Sequence, residues 1–184
     1  MKFTSLEIPE LILIEPDIHG DERGYFSETF RQDLLSKVIG HEIKFVQDNE
    51  SKSSKGILRG LHYQLPPFSQ AKLVRVIDGS VLDVCLDIRL SSPTFGKHIS
   101  VELSSKNKKQ LYVPHGFAHG FIVLSETATF IYKVDNFYKP EHERGIAFDD
   151  KELAINWRLP DELIRLSEKD MRHPKLSDAK DFFD

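Results

Sequence analysis

The chain has 184 residues, with 25 Lys and Arg against 29 Asp and Glu and a formal net charge of −4. That length predicts a single domain over 1–184 that can bury a core without staples, and the mildly acidic balance gives no general attraction to nucleic acid or to an anionic membrane. The lone cysteine, Cys85, sits in an apolar run, and the first residues hold no long apolar stretch, so the expectation is a cytoplasmic protein with no disulfide and no membrane span.

In chain order, residues 11–14 are apolar and β-branched and predict a strand. Phe30, Leu34 and Val38 recur at a spacing of four, and with Gly40 beyond them they predict a helix over 30–39. Strands are then predicted over 44–47, 57–64, 71–77, 81–89, 98–103, 110–113, 117–124 and 127–134. Asp78-Gly79 between two of these runs is a hairpin signal. In the strand after it, Leu82, Val84, Leu86 and Ile88 share one face, and Val81, Asp83, Cys85, Asp87 and Arg89 share the other. A barrel with a polar ligand inside has such a mixed face. Beyond Asn156, Pro160, Pro174 and many charges predict short helical turns and irregular chain wrapped on the barrel. Many short strands and few helices make the fold all-β, a jelly roll or related double-sheet barrel.

The chain has eight histidines and no His-X-His pair. His115 and His119 are four apart, a metal-binding spacing on a helix, but Pro114 and Gly116 argue against a helix there, so no metal site is expected. His62, in Arg59-Gly60-Leu61-His62-Tyr63-Gln64, is the candidate base, because an imidazole can take a proton at neutral pH. Such a base works best with a carboxylate fixing its tautomer. Asp83, Asp87 and Asp170 are all available, and spacing does not choose among them. Arg59, Lys72 and Arg75 are cations that lie near it in sequence, with Arg75 read as a solvated surface charge. Strict alternation puts Arg59 and His62 on opposite faces, so a shared site requires a bulge or bend near Gly60. Tyr132 shares a face with Phe130 and Val134 and reads as a core tyrosine.

Five segments taken together resemble one family. They are Asp21-Glu22-Arg23-Gly24-Tyr25-Phe26-Ser27-Glu28, Phe45-Val46-Gln47-Asp48-Asn49-Glu50-Ser51, Gly56-Ile57-Leu58-Arg59-Gly60-Leu61-His62-Tyr63-Gln64, Val113-Pro114-His115-Gly116-Phe117-Ala118-His119-Gly120-Phe121 and Leu166-Ser167-Glu168-Lys169-Asp170. In this order they are similar to the motifs of the dTDP-4-dehydrorhamnose 3,5-epimerases, and the resemblance runs from about residue 4 to about residue 174. Ala71 departs from it, standing where the family usually has Gly.

The resemblance implies a homodimeric cupin-like jelly roll that needs no metal or redox cofactor. Its substrate would be dTDP-4-dehydro-6-deoxy-D-glucose, inverted at C3 and C5. His62 would be the base with Asp170 as its orienting partner, Tyr132 the acid on the opposite face, and Lys72 the cation at the C4 oxygen. Arg23 and Arg59 would hold the diphosphate, with His119 and Glu143 lining the pocket. Gln47, Asn49, Glu28 and Lys169 would complete the nucleotide and sugar contacts, and Tyr138 would stack on thymine. The chemistry fits: a C4 ketone acidifies both neighbouring carbons, the enolate needs a nearby cation, inversion needs a base and an acid on opposite faces, and a diphosphate suits forked donors. The competing readings are an epimerase acting at one carbon only, a non-catalytic sugar-binding barrel, and a metal-dependent cupin, the last opposed by the missing His-X-His.

Overall fold

The computed structural model describes residues 1–184. One sheet joins β1 (Lys2–Ser5), β2 (Ile12–Glu15), β10 (Gln110–Val113), β7 (Lys72–Asp78), β12 (Thr127–Val134) and β5 (Gln47–Ser54), in that spatial order. The other joins β13 (Glu143–Gly145), β6 (Leu58–Gln64), β11 (Phe117–Val123), β8 (Ser80–Asp87) and β9 (His98–Ser104). A separate hairpin of β3 (His19–Asp21) and β4 (Gly24–Phe26) precedes the one α-helix, α1 (Gln32–Ile39). All pairings within the sheets are antiparallel, the cupin-like double-sheet barrel expected.

Apolar side chains sort into three layers. Between the sheets lie Val74, Val76, Val81, Cys85, Phe121 and Phe130. On the outer side of the second sheet, Leu82, Val84, Leu86 and Ile88 pack under Leu153 and Trp157 of the C-terminal tail. Ile12, Ile14 and Leu73 on the outer side of the first sheet pack against Leu35 of α1. Strand β8 is therefore buried on both faces, and its alternation separates a tail-facing side from a barrel-facing one. Helix α1 ends where expected: Gly40 adopts φ 80° and its N–H bonds back to the carbonyl of Ser36. No helix is long and apolar enough to cross a membrane.

Two departures from simple pattern shape the site. Strand β5 spans Gln47–Ser54, where only 44–47 was expected, and it pairs with β12 along its whole length. Its sequence, QDNESKSS, has no apolar alternation because its inward side chains face a polar cavity. The bend required near Gly60 is present. Pairing of β6 with β11 shifts register between His119 and Phe121, and Gly60 adopts φ 124°. A Cβ there would lie 2.6 Å from Gly120 Cα and 2.8 Å from the His119 carbonyl oxygen, so only glycine lets the strands close at this point. Strands β1, β3, β4 and β13 were not anticipated; they are three or four residues long, too short for periodicity to register.

Candidate active site

A cavity of about 680 Å³ opens between the two sheets, a size suited to one small ligand. The first sheet contributes Gln47 and Asn49 from β5, Lys72 from β7 and Tyr132 from β12. The second contributes Arg59 and His62 from β6, His119 from β11 and Glu143 from β13. Tyr138 enters from the turn after β12, and Lys169 and Asp170 from the tail. His62 and Tyr132 thus stand on opposing walls, and the bend at Gly60 lets Arg59 and His62 face the same space.

Geometry selects among the three acids. His62 Nε2 donates to Asp170 Oδ1 at 2.7 Å. Asp83 lies 2.9 Å from His119 Nε2 through both of its oxygens, and Asp87 is bound by Arg89, Ser92 and Thr94. Asp170 is only 4% exposed. Burial alone would raise its pKa, but the His62 hydrogen bond and the nearby His173 ring, whose Nε2 lies 3.4 Å from the same oxygen, outweigh burial and hold the carboxyl well below the usual range. The His173 ring stands edge-on to His62, with centroids 5.4 Å apart. Because Nε2 carries the proton given to Asp170, Nδ1 keeps the lone pair. Burial pushes the His62 pKa below its ordinary value against the pull of Asp170, so the ring is a neutral base at pH 7.

The opposite wall has complementary chemistry. Burial raises the Tyr132 pKa, so its phenol stays protonated and able to donate. Burial lowers the Lys72 pKa, opposed by Cys85, Asp83 and Glu143. At the rim, Glu143 Oε2 accepts from Tyr138 at 2.7 Å and from Lys169 at 2.6 Å. The first bond, with burial, pushes Tyr138 up to about 12. Arg59 rests its Nε on Ser53 Oγ at 3.1 Å and pairs with no carboxylate, leaving most of its fork for an anion. Gln47 ties two contacts together, donating to Asn49 Oδ1 and accepting the Tyr138 N–H.

Two of the thirteen expected residues are not in the cavity. Arg23 has an 85% exposed side chain paired with Asp21, and Glu28 lies beside Arg31. Both belong to the segment around the β3–β4 hairpin, whose Tyr25 and Phe26 are exposed. Arg75 sits half-buried at a separate small cavity rather than on a fully solvated face. Ser51, Gln70, Arg165 and Ser167 line the main cavity and were not anticipated. For Ser51 and Ser167 the signal was their place inside two of the motifs. Two groups, His62–Asp170–His173 and Asp83–Cys85–His119, bring metal-ligand atoms within 4.8 Å of one another. In each, the carboxylate is already hydrogen-bonded to imidazole.

Comparison with known proteins agrees with this geometry. Residues 5–178 match the family model described as dTDP-4-dehydrorhamnose 3,5-epimerase. A protein of that name from Shigella flexneri is 52% identical over 183 residues, covering 100% of this chain and 99% of its own length. The crystal structure of a Legionella pneumophila dTDP-6-deoxy-D-glucose-3,5-epimerase, in complex with dTDP-4-keto-L-rhamnose, is 48% identical, has a TM-score of 0.93 and covers 97% of this chain and 94% of that one. A 3'-monoepimerase from Streptomyces bikiniensis, in complex with dTDP-quinovose, is more distant at 34% identity, with a TM-score of 0.87 over 94% of this chain and 86% of that one. Ordered motifs, a polar cavity between two sheets and near-full-length identity converge: the chain belongs to the dTDP-4-dehydrorhamnose 3,5-epimerase family.

Proposed function

We propose that the chain, as a cytoplasmic homodimer, converts dTDP-4-dehydro-6-deoxy-D-glucose to dTDP-4-dehydro-L-rhamnose by inversion at C5 and C3, a step toward dTDP-L-rhamnose. The observation that carries this reading is a neutral His62 imidazole bonded to the Asp170 carboxylate on one wall of the cavity and a protonated Tyr132 on the opposing wall. His62 Nδ1 removes the proton beside the ketone, and the C–H electron pair moves into a C–C double bond while the carbonyl electrons move onto the C4 oxygen. The Lys72 ammonium stabilises that oxyanion. Tyr132 gives its phenolic proton to the opposite face of the same carbon, and the configuration inverts. His62 then releases its proton to solvent, Tyr132 regains one, and the sequence repeats at the second carbon.

Binding falls to the rest of the cavity. Arg59 takes the diphosphate and Tyr138 stacks on thymine, with Gln47, Asn49, His119, Glu143 and Lys169 holding the nucleotide and sugar. Arg23 and Glu28 reach the site from a second copy of the chain. Their exposure outside the cavity and the exposed Tyr25 and Phe26 beside them support a hairpin that docks elsewhere.

Incubation with the 4-keto sugar nucleotide in heavy water, followed by NMR, tests the reading. Deuterium at both C3 and C5 of an inverted product is expected; deuterium at C3 alone identifies a single-carbon epimerase, and none at either carbon a binding barrel. His62→Ala should lose exchange and inversion together. Tyr132→Phe should keep exchange into recovered substrate while inversion falls by about 10²-fold, the scale of one acid–base group.

A further inference from the structure

Outside the cavity, one cluster of titratable side chains is not used by this mechanism: Ser69, His115 and Asp135. Ser69 Oγ lies 3.2 Å from His115 Nδ1, and His115 Nε2 lies 2.8 Å from Asp135 Oδ2. The residue types are those of a hydrolytic triad, but their placement serves something else. Ser69 is only 7% exposed, and the second Asp135 oxygen, Oδ1, accepts the backbone N–H of Ala71 at 2.7 Å. The Asp135 N–H returns a bond to the Ala71 carbonyl at 3.3 Å. Asp135 therefore clamps Ala71 from both sides, and His115 with Ser69 orients the carboxylate that does it.

Ala71 immediately precedes Lys72, the first residue of β7. The sheet pairs Lys72 with Val113 and Val134, but the chain before it is a loop that contributes no ladder. The clamp extends the fixed backbone one residue beyond the sheet, at the point from which the Lys72 side chain enters the cavity. A charged acceptor makes that bond stronger than a neutral one. The neighbouring contacts, Asn136 Nδ2 to the Pro67 carbonyl and Gln70 Nε2 to the Asn136 carbonyl, join the same two segments beside the clamp.

We propose that Asp135 is a positioning residue for the epimerisation, acting through Ala71 to aim the Lys72 ammonium, with His115 and Ser69 fixing its carboxylate. The inference rests on the reading of Lys72 as the cation at the enolate oxygen. The charge on the enolate oxygen develops as the proton leaves, so a misaimed Lys72 slows exchange and inversion equally, unlike a missing acid. Displacements of about 1 Å cost up to 10²-fold in rate.

The experiment compares wild type, Asp135→Ala, Asp135→Asn and His115→Ala for turnover, for deuterium exchange at C3 and C5, and for dTDP affinity by calorimetry. Asp135→Ala should lower turnover and exchange together by about 10-fold or more and change the Kd for dTDP by less than about twofold. Asp135→Asn keeps an acceptor for the Ala71 N–H and should recover most of the loss; His115→Ala should show a smaller loss in the same two rates. In a Lys72→Met background, with exchange followed over hours, Asp135→Ala should add nothing. Wild-type rates in Asp135→Ala, an undiminished effect in Lys72→Met, or a parallel loss of dTDP affinity would overturn the proposal. Should Asp135→Ala fail to fold, wild-type rates in His115→Ala would overturn it too. A wild-type protein that exchanges neither proton refutes the epimerase reading itself, whereas an active wild type with unaffected variants refutes only the clamp.

Discussion

Replacing Asp170 with Asn perturbs the proposed base without touching the His62 ring assigned the proton transfer. The carboxylate is buried and accepts from His62 Nε2 at 2.7 Å, a charge-assisted bond of about 1.5–3 kcal/mol. An asparagine amide can present its NH₂ to Nε2 instead, which stabilises the tautomer protonated on Nδ1 and removes the lone pair that takes the substrate proton. The same exchange in a serine protease triad costs about 10⁴ in turnover, and a loss of about 10³- to 10⁴-fold is expected here. The pH profile carries an independent sign. In the wild type, burial lowers the His62 pKa from its ordinary 6.5 and Asp170 raises it part of the way back. The base is active when neutral, so kcat/KM is level near neutrality and falls in acid as His62 protonates. Without the Asp170 charge, burial and Lys72 both still lower that pKa, so the acid limb should move to lower pH. The assay is deuterium exchange at C3 and C5, followed by NMR from about pH 4 to 9. An acid limb that stays in place or moves upward, or exchange near the wild-type rate, would refute the pairing.

The remaining expectations concern the nucleotide, the metal and the second chain. Tyr138→Ala should raise KM more than it lowers kcat, because base stacking is worth about 1–3 kcal/mol; unchanged dTDP affinity by calorimetry would sink the stacking role. Full activity should survive exhaustive chelation, and a stoichiometric metal whose removal abolishes turnover would contradict the proton-transfer mechanism. Sedimentation should find a dimer at assay concentrations, and a monomer with full activity would exclude a contribution from Arg23 or Glu28 of a second copy.

How far the sequence reached depended on how local each signal was. The faces of β8 were legible because Leu82, Val84, Leu86 and Ile88 form an uninterrupted apolar row whose far side carries Asp83 and Asp87. The bend at Gly60 was legible as a requirement, since Arg59 and His62 could share a site in no other way. Strand β5 was not legible from its pattern: Asp48 to Ser54 is polar throughout, and it forms a strand because β12 supplies a continuous partner. The choice of Asp170 over Asp83 and Asp87 was equally beyond spacing, since the contact joins residues 108 apart in the chain; only motif resemblance pointed to it. Tyr132 shows the limit of periodicity. It packs at the edge of the inter-sheet cluster as a core tyrosine would, yet it also lines the cavity, and alternation cannot distinguish those two positions.

The tail links stability to chemistry in this molecule. The outer side of β6, β11 and β8 is apolar and must be covered, and Leu153 and Trp157 of the tail cover it, with the Trp157 indole N–H tied to the Phe148 carbonyl. Burying such side chains contributes about 1.5–3 kcal/mol each, enough to dock a segment that has almost no regular structure of its own. The same docking carries the short 3-10 turn Asp170–Arg172 onto the back of His62. A carboxylate delivered this way faces an opposing cost, because burial disfavours its charge. The hydrogen bond from His62 offsets that cost, and it exists only while the tail is seated. The barrel can therefore keep its two sheets and lose the base partner through local opening of the tail alone. On the proposed mechanism, catalysis depends on the least regular part of the chain, held by an apolar face that the sequence displays plainly.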